Sequence, residues 1–413
     1  MALIKPFRAL RPARDLAYRV AALPYDVMNV DEARGMAEGN PLSFLHISRP
    51  EIDLSTELDP HDESVYRKGR ENLDRFIAEG LLVQDDAERY YVYRQKMGAV
   101  MQTGLVACAS VDDYQGGVIR KHEHTRADKE EDRVRHIDRL DANDEPVFYV
   151  YRNRPSINAL VDELTEGEPI FDFTGDDAIT HTVWEVADRE VINRLSREFA
   201  AIDTLYVADG HHRSAAASRV RDLRMNANPG HTGREEYNFF LSVIFPDHQM
   251  NVMAYNRAVR DLNGHTIAEF INLVGKRFDI TPVAEPVTPG SRHRFGMYLK
   301  GKWYALAAKP STFDESDAVG RLDVSILQDH LLSPILAVRN PRTDQRIHFI
   351  GGSRGNEELV RLVDSGEFQV AFSLHPTSLG ELMALADAGK IMPPKSTWFE
   401  PKLRSGLFVH LLS

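Results

Sequence analysis

The stretch Leu205-Tyr-Val-Ala-Asp-Gly-His-His-Arg-Ser-Ala-Ala-Ala-Ser-Arg219 leaves the chain few local options. The apolar run Leu205 to Ala208 is short, as a buried strand is, and it stops at Asp209-Gly210. An Ala-rich segment of strong helix propensity follows. The pattern predicts strand, tight turn, helix, with Gly210 allowing close backbone approach and Asp209 or Ser214 capping the helix. His211, His212 and Arg213 then stand where a helix begins, beside free backbone N–H groups and the positive end of the helix dipole. Such a place binds anions, phosphate above all. The competing reading is a capped turn with three solvated basic groups.

A chain of 413 residues exceeds the size at which single cores usually split, so two or three domains are expected. Its net charge of −12 argues against broad binding to nucleic acid or to a membrane surface. Cys108 is the only cysteine, which excludes an intramolecular disulfide and a multi-cysteine metal site. It lies in the apolar run Leu105 to Ala109 and reads as a core residue. Lys5, Pro6 and Arg8 interrupt the N-terminus before an apolar signal region forms. Phe239 to Phe245, among the longest apolar stretches, is too short to span a bilayer. The expectation is a cytoplasmic protein; oligomeric state is not legible.

Along the chain, prolines punctuate residues 1–60, with an extended or turn element at Pro24 to Val27. A helix is expected over Asp31 to Glu38, capped by Asp31, and another over His61 to Glu79. Arg89 to Arg94 and Met101 to Val111 predict a β-hairpin. The charge-dense segment Arg120 to His136 is expected to continue as a helix to Leu140. Strands are expected near 146–151, 170–173 and 179–186, and helices over 156–166 and 188–200. The Pro/Gly/Asn-rich run 226–233 is a loop or linker candidate. Beyond it come a strand at 237–245, a helix at 267–278, a hairpin over 295–308, helices at 323–332, 357–363 and 379–388, strands at 346–350 and 368–374, and a last strand over 406–412. The alternation indicates an α+β or mixed α/β protein.

Phosphoryl transfer needs donors for phosphate oxygens, a cation opposite developing charge, and a carboxylate near the attacking hydroxyl. Asp209 to Arg213 offers the first two. Glu123, in Lys121-His-Glu-His-Thr125, is a candidate base, or a solvated member of a charge run. His122-Glu123-His124 misses the H-E-x-x-H pattern; in an extended segment His122 and His124 share a face and could bind a metal with a third ligand, but hydrogen-bonded or solvated histidines fit better. Gly351-Gly-Ser-Arg-Gly355 matches G-x-S-x-G, but too little chain follows for a further acid and histidine; an anion-binding or plain tight turn fits better than a hydrolase using Ser353. Lys395-Ser396-Thr397, stiffened by Pro393-Pro394, puts a cation and two hydroxyls on one loop. Neither a P-loop nor a G-x-G-x-x-G fingerprint is present.

Asp209-Gly-His-His-Arg213 after an apolar strand resembles the phosphate-binding signature of the ParB/sulfiredoxin superfamily, and within it that of the ADP-dependent free serine kinases. Three blocks match in order: Lys121 to His124, Asp209 to Arg213, and Gly366-Glu367 through Pro376-Thr377 to Pro394-Lys-Ser-Thr397. Over its length, with Pro24-Tyr-Asp-Val27, Asp209 to Arg213 and Met392-Pro-Pro-Lys-Ser-Thr397, the chain is similar to a large microbial family of unknown function. The first hundred or so residues and roughly 150–195 have no counterpart in the kinases.

The resemblance implies an α+β fold with a ParB/sulfiredoxin-like nucleotide-binding core over 113–225, an N-terminal α+β region over 1–112 and a C-terminal α/β domain over 234–413. It implies transfer of a phosphoryl group between ADP or ATP, with Mg²⁺, and serine or phosphoserine. Glu123 is then the general base, Lys395 a catalytic cation, and Asp209, Gly210, His211, His212 and Arg213 the phosphate grip. His122, Ser396, Thr397 and Asp26 are further contacts. The alternatives are a ParB-like nucleotide-binding or DNA-partition module, and a phosphoserine phosphatase or other hydrolase.

Overall fold

The computed structural model describes residues 1–413, which divide into two compact units. The first holds residues 1–121, 125–250 and 401–413; the second holds 122–124 and 251–400. Together they make a mixed α/β protein.

The first unit is built on a nine-stranded sheet: β1 (Ile4–Lys5), β2 (Tyr90–Met97), β3 (Val100–Ser110), β4 (Ile119–Arg120), β5 (Val147–Tyr151), β6 (Phe171–Thr174), β7 (Ile179–Val186), β8 (Leu205–Asp209) and β9 (Phe239–Pro246). The strand order is β4-β8-β5-β9-β3-β2-β7-β6, with β1 paired to β3. β8 runs parallel to β4 and β9 parallel to β5, and the other pairs are antiparallel. The expected hairpin is β2–β3, turning at Gly98, whose φ of +56° suits glycine. Cys108 lies near the end of β3 with no exposure, and burial pushes its thiol pKa well up, as suits a core residue.

Helices α1 (Val30–Ala37), α2 (Glu63–Ala78), α3 (Ala127–Leu140), α4 (Pro155–Leu164), α5 (Arg189–Ala200) and α6 (His211–Ala227) belong to this unit. Ile157 and Leu160 of α4 and Ile192, Leu195 and Phe199 of α5 join Tyr90, Leu105, Val207 and Ile244 in its largest apolar cluster. A second cluster gathers Ala33, Leu73 and Phe76 of α1 and α2 around Phe44, Leu140 and Val409. Val134 and Ile137 of α3 meet Ala216 and Val220 of α6 in a third.

The second unit has a six-stranded antiparallel sheet: β10 (Tyr255–Val259), β11 (Phe278–Val283), β12 (Arg294–Leu299), β13 (Lys302–Ala308), β14 (Ile347–Gly351) and β15 (Val370–Leu374), in the order β11-β13-β12-β15-β10-β14. Its helices include α7 (Ile267–Gly275), α8 (Asp323–Leu327), α9 (Gly355–Asp364) and α10 (Leu379–Asp387). Leu359, Leu362 and Val363 of α9 pack on Ala258, Tyr298 and Ala371 of the sheet. No helix of either unit is long and apolar enough to cross a membrane.

Several boundaries differ from expectation, each for a local reason. α1 is capped by Asn29, not Asp31: Asn29 accepts the Glu32 N–H and Glu32 accepts the Asn29 N–H, a reciprocal box that satisfies two end donors. The helix expected over 267–278 ends at Gly275, because Phe278 pairs with Ala308 in the sheet. Residues 323–332 split into α8 and a π-helical turn, Gln328–Leu332. Of the last strand, His410–Leu411 pair with Ala142–Asn143 and Val409 forms a single bridge to Leu10. Positions on both sides of residue 112 contribute strands to one sheet, and α6 runs to Ala227, inside the run 226–233, with β9 following in the same unit. Residues 228–233 are therefore a loop of the first unit.

Candidate functional site

In the first unit β8 ends at Asp209, where its register against β5 shifts: Val207 faces Tyr149 and Asp209 faces Phe148. A bulge there re-aims the strand end, as bulges beside functional sites commonly do. Gly210 follows at φ +91°, ψ +31° and opens α6, which no side chain caps. Neither expected cap forms. Asp209 instead accepts the N–H of Gly210 at 2.9 Å and pairs with Lys402 Nζ at 3.0 Å, and the Ser214 hydroxyl donates back to the Gly210 carbonyl at 3.2 Å.

Arg213 lies beneath the turn, 6% exposed. Its guanidinium donates to the Pro146 carbonyl and lies 3.8 Å from Asp26, while its Nε is 3.1 Å from where a side chain on Gly210 would begin. Burial opposes its charge, but Asp26, Glu145 and Asp209 outweigh burial and keep it protonated. Asp26 sits on a 3₁₀ turn, Tyr25–Val27, whose first N–H donates to Glu145 at 2.9 Å. Glu145 also accepts from Ser405 Oγ at 2.8 Å, yet burial and neighbouring Asp144 push its pKa up. Arg133 stacks over the Tyr25 ring at 4.1 Å and pairs with Asp132, whose pKa burial would raise but Arg133 holds low. His212 Nε2 accepts the Arg126 N–H at 3.0 Å at the start of α3, so the ring holds a second helix end in place.

In the second unit, His122 is buried and its carbonyl accepts the Met392 N–H at 2.8 Å. Glu123 is half-buried in the irregular segment after it. The Pro393-to-Thr397 loop closes on itself through Ser396 Oγ, which donates to the Pro393 carbonyl at 2.6 Å. Lys395 is exposed, at φ +57°, with Nζ 5.5 Å from the Tyr255 ring centroid. Arg257, on β10, holds this loop from within: its Nη2 donates to the Lys395 carbonyl at 2.8 Å and its Nη1 to the Tyr255 carbonyl. It is 3% exposed and stacks 4.8 Å from the Phe349 ring centroid, and burial lowers its pKa to about 10.

The expected site residues thus separate by unit. Asp26 and Asp209 through Arg213 belong to the first, where Arg213 joins Asp26 to the turn; His122, Glu123, Lys395, Ser396 and Thr397 belong to the second. Ser353 stands on an exposed 3₁₀ turn, Gly352–Arg354, between β14 and α9. Lys402, Glu145 and Arg257 were missed. Arg257 alone carried a signal, a charge inside the otherwise uncharged strand Tyr255–Val259. Lys402 and Glu145 carried none, since their partners lie far off in sequence.

The fold is that of a mixed α/β protein, and the turn is a glycine-opened helix start that no side chain caps. The chain belongs to the DUF1015 family, described as a protein of unknown function, whose family model matches residues 4–325. No curated protein matches it. Similar solved structures include a conserved hypothetical protein from Pyrococcus furiosus, 14% identical, with a TM-score of 0.36, covering 75% of this chain and 95% of that one. A free serine kinase in complex with AMP is 15% identical, with a TM-score of 0.34, covering 73% and 91%. SbnI with a C-terminal truncation from Staphylococcus aureus is 12% identical, with a TM-score of 0.39, covering 74% and 87%.

Proposed function

We propose that this protein is a phosphotransferase moving a phosphoryl group between ADP or ATP and serine or phosphoserine, on a ParB/sulfiredoxin-like core in the first unit. The observation that carries the reading is the Asp209–Arg213 turn: a bulged strand end, a left-handed glycine, a helix start without a side-chain cap, and a buried arginine that stays charged. Backbone N–H groups at such a start fit phosphate oxygens. The carboxylates of Asp26 and Asp209 are hard oxygen donors of the kind Mg²⁺ takes. When bound, the ion would neutralise charge on the nucleotide phosphates.

In this mechanism Arg213 acts from below. It fixes Asp26 and the β5 end against the turn, and its charge favours an anion above. Glu123 accepts the proton of the serine hydroxyl as that oxygen forms its bond to phosphorus. The bond from phosphorus to the nucleotide breaks, leaving ADP from ATP or AMP from ADP. In the reverse sense phosphoserine donates and Glu123 returns the proton. Lys395 offsets charge on the transferred group, and Arg257 positions its loop. His122, His211, His212, Ser396 and Thr397 complete the contacts.

Glu123→Gln tests the assignment. A general base contributes about 10²–10⁴ in rate, so kcat falls by that factor while nucleotide KM and the thermal unfolding profile are unchanged. Full activity in the variant would remove Glu123 from the mechanism.

A further inference from the structure

The first unit contains a cavity of about 710 Å³ that shares no residue with the Asp209–Arg213 turn. That volume lies within the roughly 300–1,000 Å³ range of small-molecule sites. Its apolar walls include Tyr18 and Phe173, which meet edge to face with centroids 6.1 Å apart. Its charged lining residues are Arg19, Arg404, Glu38, Asp176 and Asp177.

Arg404 is the fixed point. It is 8% exposed, its Nε donates to His181 Nε2 at 3.2 Å, and its Nη2 pairs with Asp177. Its remaining terminal nitrogen, Nη1, makes no hydrogen bond to the protein and is not fully buried, and Arg404 is part of the cavity lining. His181 is held in turn by Tyr93 at 2.7 Å and stacks on Phe173, 5.2 Å between centroids. Burial and adjacent Arg404 lower its pKa to about 3, so it stays a neutral acceptor. The hairpin turn that presents Asp176 and Asp177 carries Ala178 at φ +61°, a conformation an alanine adopts at a cost. Asp176 accepts the Tyr18 hydroxyl at 2.8 Å at the rim.

We propose that this cavity binds a small zwitterion with an aromatic body, an aromatic amino acid or a close analogue. A carboxylate answers the open N–H donors of Arg404 Nη1. An ammonium answers the one negative charge left over in the lining, where Glu38 and Asp176 outnumber Arg19 once Arg404 has paired with Asp177. A ring packs against Tyr18 and Phe173, where a cation beside an aromatic face is also favoured. Either charge alone leaves one half of the lining unmatched.

Three probes separate the contributions: L-phenylalanine, phenethylamine without the carboxylate, and 3-phenylpropionate without the ammonium. Titrated into the full-length protein by calorimetry, L-phenylalanine should bind about tenfold or more tighter than either one-ended probe. Asp176→Asn should erase its advantage over 3-phenylpropionate. Arg404→Lys should erase its advantage over phenethylamine, with near-UV circular dichroism establishing that the variant is folded. If Arg404→Lys unfolds, Asp176→Asn, at an exposed position, decides alone. Absence of L-phenylalanine binding in the millimolar range, equal affinity for all three probes, or an unchanged preference in the folded variants would overturn the proposal.

Discussion

At Gly210 two constraints coincide. Its φ of +91° is a conformation that L side chains rarely adopt, and a side chain there would begin 3.1 Å from Arg213 Nε. Gly210→Ala should therefore destabilise the first unit by about 1–2 kcal/mol through left-handed strain alone, read from chemical denaturation. It should also weaken ADP binding, because the turn moves off the arginine that supports it. At Arg257 the constraint is the planar fork, which serves two carbonyls, Tyr255 and Lys395, from one buried guanidinium. Arg257→Lys supplies a point charge without the fork, so kcat should fall while the unfolding midpoint moves little. An unchanged kcat would mean that the Lys395 loop holds itself, through Ser396 and Pro393.

Among the elements, those with strong local patterns were legible from sequence. The β2–β3 hairpin declares itself by two apolar runs about Gly98, and α5 by Asp188, which accepts the N–H groups of Glu190 and Val191. α1 was misplaced at its start because Asn29, two residues before Asp31, reaches Glu32 three residues on, and either residue type makes a cap. α8 carries a consequence for pH. Its first residue, Asp323, is 7% exposed, accepts the His293 N–H at 2.8 Å with one oxygen and leaves the other unsatisfied. Burial raises its pKa to about 6. A carboxyl with a raised folded-state pKa contributes stability below its unfolded value, about 3.9, and that contribution is lost as pH rises through about 6. Asp323→Asn should thus stabilise the second unit at neutral pH, by on the order of 2–3 kcal/mol, and flatten the stability profile between those values. A variant less stable than the parent at pH 7 would show that the ionised carboxylate is not a burden there.

At the scale of the whole molecule, the path of the chain was the least legible feature. Residues 401–413 return to the first unit after 150 residues spent in the second, and nothing in their composition announces it. Their contacts explain the return: Lys402 on Asp209, Ser405 on Glu145, His410 on Glu236, and Leu403, Leu407, Phe408, Val409 and Leu412 buried. At roughly 1.5–3 kcal/mol for each buried apolar side chain, the segment contributes an amount comparable to the net stability of a domain, about 5–15 kcal/mol. A chain ending at Glu400 should lose the cooperative unfolding of the first unit in calorimetry, and retention of that transition would contradict the accounting. The candidate site was legible as residues and not as a route. The Asp209–Arg213 turn, Glu123 and Lys395 stood out by type and spacing, whereas the buried Glu145, Lys402 and Arg257 that hold the two loops are defined by partners far along the chain.

The central claim is phosphoryl transfer, and ³¹P nuclear magnetic resonance of the purified protein with Mg²⁺ tests it directly. Serine is supplied with ATP or with ADP, and phosphoserine with ADP. For a phosphotransferase, a phosphoserine signal grows from serine or is lost on incubation with ADP, matched by the corresponding change in nucleotide and slowed by about 10²–10⁴ in Glu123→Gln. No change in the phosphorus spectrum under any of these conditions would contradict it.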